Sequence, residues 1–242
     1  MSLIVPNWPA PANVRACSST RQGGVSQAPW DSLNLGAHVG DELQHVQTNR
    51  QRLLELADLP SMPQWLEQVH GTEVLTLDWK VPDSLRADAA YTRTPGVVCA
   101  VMTADCLPVL FCSQDGQEVA AAHAGWRGLC NGVLEATINA FSAPPSQIYA
   151  WLGPAIGPDA FEVGPEVREA FIAQNPAASA AFRPEGEKFY ADLGHLAKLR
   201  LEAAGVRHVW GGGQCTLKQS EQFFSFRRDG VTGRMASLIW VI

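Results

Sequence analysis

Apolar positions along this chain follow two rhythms. Leu43, Val46, Leu53, Leu54 and Ala57 recur at three- and four-residue spacing, which predicts a helix capped by Asp41 and ending before Pro60. Further helices are predicted near residues 165–175 and 192–204. A strand-turn-helix unit is expected where the apolar run ending at His123 meets GWRG and continues through Leu129, Val133, Leu134 and Ala136 to about Phe141. Short runs rich in Val, Leu and Tyr, bounded by turn residues, predict strands near 14–18, within 65–77, and at 89–92, 97–103, 107–112 and 119–123. Others follow near 148–152, 208–210, 223–226 and 236–241. Residues 20–41 are rich in Gly, Ser and Asn without a helical period and read as a long loop.

Close-spaced strands over residues 65–123 argue for mixed or antiparallel pairing rather than a repeated βαβ winding, so the expected class is α+β. No repeat, low-complexity segment or linker divides the chain, and one domain over residues 1–242 is expected.

Composition narrows the functional classes. A hydrophobic content of 46% against 17% charged residues supplies a large core. The formal net charge is −6 and the basic residues are scattered, save for Arg227-Arg228, so nucleic acid is not an expected partner. Apolar runs such as 97–102 and 107–112 fall far short of the roughly 20 residues of a membrane-spanning helix. Pro6, Pro9 and Pro11 interrupt the N-terminal segment before a signal-like stretch develops. The expected location is the cytoplasm, with no membrane partner. Six cysteines without a CxxC pair are expected to be reduced thiols.

Three residues share one setting. His70 closes WLEQVH before Gly71, Cys106 stands in TADCLP between two apolar runs, and His123 ends VAAAH before AGWRG. Pro108 disfavours regular central-strand pairing beside Cys106. Two imidazoles and one thiolate would give zinc three ligands and an open fourth position, the pattern of a catalytic site. Equally, a lone histidine is commonly just hydrogen-bonded and a lone cysteine a small buried hydrophobe. The remaining histidines, His38, His45, His195 and His208, lack the strand-then-glycine setting and read as structural or surface residues.

Other candidates are individually weaker. Arg127, in a glycine-flanked turn before a helix, could hold an anion such as phosphate or pair locally. Asn34 offers a donor and an acceptor for a purine or ribose edge, or stabilises a turn. Arg50 interrupts the apolar stripe of its helix and either snorkels to solvent or serves a buried partner. Asp105 either orients a metal-bound histidine or caps a turn. Arg227 and Arg228 should face opposite sides if the strand from Phe223 continues.

The ordered segments TRQGGVS, LNLGAHVGD, QVHGTEV, ADAAYTRTPGVVCAVMTADCLPVL, AAAHAGWRG, LGPAIGP, FEVGPEV and FFSFRRDGVTGRMASLIWV span nearly the whole chain. Through them the sequence resembles the YfiH or laccase-domain family. The resemblance implies a layered α/β/β/α fold with mixed sheets and a zinc or copper ion bound by His70, Cys106 and His123. It further implies phosphorolysis of adenosine, inosine and methylthioadenosine with inorganic phosphate, and for some members deamination of adenosine. For such reactions Asn34, Arg50 and Arg127 are the expected substrate-binding residues. Leu217 and Phe226 stand where the family frequently has tyrosine. The HxE and PCxxC signatures of known zinc deaminases are absent. The rival readings are copper-dependent oxidation of phenols and a cysteine hydrolase or amidase, acting on peptidoglycan precursors, with Cys106 as nucleophile. A non-enzymatic metal-binding protein is the third, against which the open ligand set speaks.

Overall fold

The alternation of side chains along two sets of strands decides the architecture, seen here in a computed structural model that describes residues 3–242. Met1 and Ser2, where the N-terminal reading begins, lie outside the described residues. The chain runs β1 (Leu3–Ile4), β2 (Val14–Ser19), α1 (Leu43–Leu56), β3 (Val74–Thr76), β4 (Ala89–Thr92), β5 (Val98–Thr103), β6 (Leu107–Ser113) and β7 (Val119–Ala124). It continues through α2 (Trp126–Asn131), α3 (Val133–Asn139), β8 (Ile148–Leu152), β9 (Glu162–Val163), α4 (Pro165–Gln174), β10 (Phe182–Glu185) and β11 (Lys188–Ala191). Then follow α5 (Leu193–Ala203), β12 (His208–Gly211), α6 (Phe226–Asp229) and β13 (Met235–Val241).

One sheet has the order β1-β2-β13-β5 and is antiparallel throughout. The larger has the order β12-β8-β6-β7-β4-β3, antiparallel at its centre and parallel at both edge pairs. Because successive side chains on a strand face opposite ways, β5 sends Cys99 and Val101 inward, into one core with Leu110, Val119 and Ala121 of the larger sheet. Val98, Ala100 and Met102 go outward, to meet Leu53 of α1. On the far side, Val109, Phe111, Ala120 and Ala122 meet Leu129, Leu134, Phe171 and Leu196 of α2 to α5. The order of layers is helix, sheet, sheet, helices: a mixed α+β fold.

Several sequence expectations need correction. Asp41 does not cap α1, whose N-cap is Glu42 without a side-chain cap bond. Its carboxylate instead accepts from Ser26 Oγ and from Asn34 Nδ2 at 2.9 Å, tying down the long loop. The helix expected from GWRG to Phe141 breaks at Gly132, whose φ of 104° is a left-handed geometry that favours glycine. Residues 223–226 do not form a strand: Phe226 starts the single-turn α6, so Arg227 and Arg228 do not alternate. Within 65–77 only Val74–Thr76 is a strand, because the amides of residues 69–71 are turned onto a carboxylate described below. Pro108 is the second residue of β6 and pairs with His123, so the break it marks lies at the strand's beginning. The small sheet β10-β11-β9 was not anticipated, since its strands are short and its hairpin is largely exposed.

Candidate metal centre

His70, Cys106 and His123 do meet, although His70 lies in a turn rather than at the end of a strand. Cys106 lies in the connection from β5 to β6, His123 is the fifth residue of β7, and the pairing of Pro108 with His123 brings the two segments together. His70 arrives on the segment between α1 and β3 with a φ of 61°. Its ring meets that of His123 edge-on, with centroids 4.8 Å apart, and its Nε2 lies 3.8 Å from Cys106 Sγ. One ligand atom from each of the three residues lies within 4.8 Å of the others, the single such cluster of three or more His, Cys, Asp or Glu among the described residues.

Asp88 organises this meeting. Its carboxylate, fully buried, accepts the backbone N–H groups of Val69 at 3.1 Å, His70 at 2.8 Å and Gly71 at 2.7 Å. The same group lies 2.8 Å from His123 Nδ1, so that nitrogen donates and Nε2 is left to face Cys106. The sequence offers Asp105 as either the orienting acid or a turn cap and gives no comparable prominence to Asp88. Asp105 is turned elsewhere, accepting from Thr216 Oγ1 at 2.6 Å and from the Arg227 amide at 2.7 Å. The only sign of Asp88 in the sequence is an acid leading into an apolar strand.

Close approach also explains two glycines of HAGWRG. A Cβ on Gly125 would lie 2.9 Å from both Cys106 Sγ and His70 Cδ2, and one on Gly128 would lie 2.8 Å from the carbonyl of Gly71. Gly125→Ala is therefore expected to push the histidine and the thiol apart and to weaken metal binding by at least about tenfold with the fold retained. A chelator-competition titration reads this, and unchanged affinity would contradict it.

The electrostatics favour a thiolate. Burial pushes the Cys106 thiol up, but the charge of His123 and hydrogen bonds from both imidazoles outweigh it and bring the group to about 6. Burial pushes His123 down, whereas the thiolate and Asp88 carry it to about 9. For Asp88, burial acts upward, and the bonds from His123 and the Gly71 and Val69 amides hold it below the ordinary carboxylate range.

This cluster opens into a cavity of about 230 Å³ whose wall includes His38, Gln68, Met102, Phe226 and Arg234. A second cavity of about 640 Å³ shares His38, Gln68 and Met102 with it and adds Ala37, Arg50, Trp65, Leu66, Glu67 and Leu85. His38, read from sequence as structural or surface, is thus a wall of both. Arg234 and Phe226 also line the site, and neither was singled out as a ligand-facing residue. Arg50 serves a partner: Nε and Nη2 both donate to the Leu35 carbonyl, and the guanidinium lies over Trp65 at 4.4 Å. Asn34 is fully buried, with its amide donating to Gly36 and Asp41 and its oxygen accepting from the Gly36 and Arg234 amides. It holds a turn and offers no free edge to a ligand. Arg127 is exposed, lies over its neighbour Trp126 and does not line either cavity.

The sequence profile described as Multi-copper polyphenol oxidoreductase laccase matches residues 15–242. The chain belongs to this family. It is 63% identical over 240 residues to the family relative named "Purine nucleoside phosphorylase YfiH" of Escherichia coli strain K12, with 99% of each chain covered. The "Purine nucleoside phosphorylase" of Haemophilus influenzae is 52% identical over 99% of each. A crystal structure of a Neisseria meningitidis protein matches 100% of this chain and 99% of its own, at 51% identity and a TM-score of 0.96. YlmD of Geobacillus stearothermophilus matches at 33% identity with a TM-score of 0.93, covering 100% of this laccase-family chain and 96% of its own.

The donor set fits a metal ion. Tetrahedral zinc, with Zn–S of about 2.3 Å and Zn–N of about 2.0–2.1 Å, requires a sulfur-to-nitrogen separation of about 3.6 Å, against the 3.8 Å between Cys106 Sγ and His70 Nε2. Among the described residues no helix is long and apolar enough to cross a membrane.

Proposed function

We propose that this protein phosphorolyses purine nucleosides, adenosine, inosine and methylthioadenosine among them, at a site where His70, Cys106 and His123 hold one ion, zinc with copper as the alternative. The observation that carries the reading is an open three-donor cluster facing a cavity that also presents a guanidinium group, in a chain that matches named purine nucleoside phosphorylases from end to end. When bound, the ion would supply Lewis acidity at its open position. Cytoplasmic location is part of the same proposal.

The reaction balances simply. An oxygen of hydrogen phosphate bonds to C1′ as the C1′–N9 bond breaks, the bonding pair leaves with the purine, and the proton of hydrogen phosphate ends on the base. What the chain supplies is position and charge. Asp88 fixes the His123 tautomer and the turn that carries His70, Gln68 clamps that segment to the Met102 backbone through bonds of 2.7 Å in both directions, and Phe226 offers an apolar face to a purine. The residues lining the first cavity include no carboxylate to shuttle protons, which favours phosphorolysis over deamination of adenosine.

A second reading has its own observation. Asp88, His123 and Cys106 stand in series, orienting acid, base and depressed thiol, as in a cysteine hydrolase or amidase. Phenol oxidation is less well served, because one mononuclear cluster suits four-electron reduction of oxygen poorly. The deciding assay incubates the metal-loaded protein with adenosine and inosine, with and without phosphate. Phosphate-dependent ribose 1-phosphate supports the proposal. Inosine from adenosine without phosphate would identify a deaminase, oxygen uptake with a phenol only on copper loading an oxidase, and hydrolysis surviving complete chelation a cysteine nucleophile.

Metal binding should depend on pH with a definite sign. Between about 6 and about 9 the metal-free pair is thiolate and imidazolium, so taking up an ion expels one proton from His123. Apparent affinity is expected to rise about tenfold per pH unit through that window and to level above it, as chelator competition at several pH values would show. A flat profile from 6 to 9 would contradict the coupled pair.

A further inference from the structure

Two guanidinium groups are drawn partly out of water without an ion-paired carboxylate, Glu67 sharing a cavity wall with Arg50 but forming no ion pair with it among the described residues. Arg50 and Arg234 are half-buried and donate only to carbonyls, Leu35 for the first and Thr232 and Gly233 for the second. Among the described residues neither has an ion-pair partner within 4.0 Å, whereas Arg21, Arg183, Arg200 and Arg228 all do. The acids whose charges reach Arg234 are engaged: Asp105 holds Thr216 and Arg227, and Cys106 belongs to the ligand trio. Desolvating a cation without a counter-ion is costly, and the cost is recovered when an anion arrives. Arg234 lines the cavity at the ligand trio, Arg50 lines the adjoining one, and His38 is a wall of both. The fields of the two arginines converge there: burial first, then the charges of Arg234 and Arg50, hold the His38 imidazole below its ordinary range.

We propose that a phosphate group binds at the junction of the two cavities, between Arg234 and Arg50 beside His38, and that inorganic phosphate enters there as co-substrate. The role as co-substrate rests on the phosphorylase reading above; the existence of the anion site does not. Arg127, expected from sequence to hold phosphate, lies outside both cavities. Asn34 acquires a positioning role, since its oxygen fixes the Arg234 amide at 2.9 Å, and Gly36 leaves room for the arginine, whose Cγ would be 2.9 Å from a Cβ there. A nucleoside 5′-phosphate presents the same chemistry as free phosphate, so both are probes.

The test uses the metal-loaded full chain. Binding of inorganic phosphate and of a nucleoside 5′-monophosphate is measured by calorimetric titration, and KM for phosphate and for inosine separately. In Arg234→Gln, Kd and KM for phosphate should rise at least about tenfold while KM for inosine stays within about twofold, and Arg234→Lys should recover part of the loss. Arg50→Gln should shift the same two constants, which keeps the proposal testable if Arg234→Gln does not fold; bound metal and Tm monitor folding. Unchanged phosphate binding in folded Arg234 and Arg50 variants, or loss of it in Arg127→Gln instead, would overturn the site. Loss for the nucleotide alone would overturn the co-substrate role. If the wild type makes no ribose 1-phosphate yet Arg234→Gln still loses phosphate binding, the phosphorylase reading fails and the anion site stands.

Discussion

Cys106→Ala is expected to yield a folded protein that has lost its ion and its nucleoside phosphorolysis together. Structural zinc affinities of about 10–16 kcal/mol, shared over four ligands, put one ligand at roughly 3 kcal/mol, so affinity should fall more than about a hundredfold. Cys106 sits at the cavity wall, in the connection between two strands whose own side chains are buried. Trimming its sulfur leaves the cores between the layers intact, and with both proteins metal-free the stability should differ from wild type by no more than about 1 kcal/mol. Metal analysis, turnover and, after metal removal, a thermal melt on one preparation check all three. Full turnover in this variant would refute the assignment, and so would a variant that keeps a full complement of metal.

Asp88→Ala is expected to behave differently, losing stability as well as metal. The carboxylate serves three backbone amides, all part-buried, and the buried His123 Nδ1. Unsatisfied buried donors cost about 1–3 kcal/mol each, and water can reach the amides, so a loss of about 2–4 kcal/mol is expected. For a chain of this size that lowers Tm by about 5–15 °C. Metal affinity should fall a further 10- to 100-fold, the usual effect of removing the acid that orients a ligating histidine. Asp88→Asn keeps the shape and one good acceptor and should fall between. The contrast with Cys106→Ala separates a residue that binds from one that builds. An Asp88→Ala protein with wild-type Tm and affinity would show that the carboxylate organises nothing.

The strand end at His123 was readable because its pattern is local, VAAAHAG announcing a strand that runs into a glycine turn, whereas QVHG marked a ligand-bearing turn that no strand precedes. The long helix over residues 43–56 was readable for the same reason. What escaped depends on distant partners. Asp88 looks in sequence like any acid leading into a strand, and its four donors come from residues 17 to 35 positions away. Arg234 and His38 become walls of one site only when β13 and the loop before α1 are brought together, through Asn34 among others. Residues 223–226 carry an apolar content that suits a strand, yet the Ser225 side chain accepts from the Arg228 amide and starts a helical turn. Asp41 stood at a capping position and was claimed by Asn34 and Ser26. At Asp88, Arg234 and Asp41 a hydrogen bond to a partner outside the local pattern decided the outcome, and at residues 223–226 the local cap from Ser225 did.

The most direct test of the central claim is an anomalous-scattering map from a crystal of the metal-loaded protein, recorded on both sides of the absorption edge. A single peak within about 2.0–2.3 Å of His70 Nε2, Cys106 Sγ and His123 Nε2 together is the predicted result. A fully loaded protein whose peak lies elsewhere, or touches only one of the three, would contradict it.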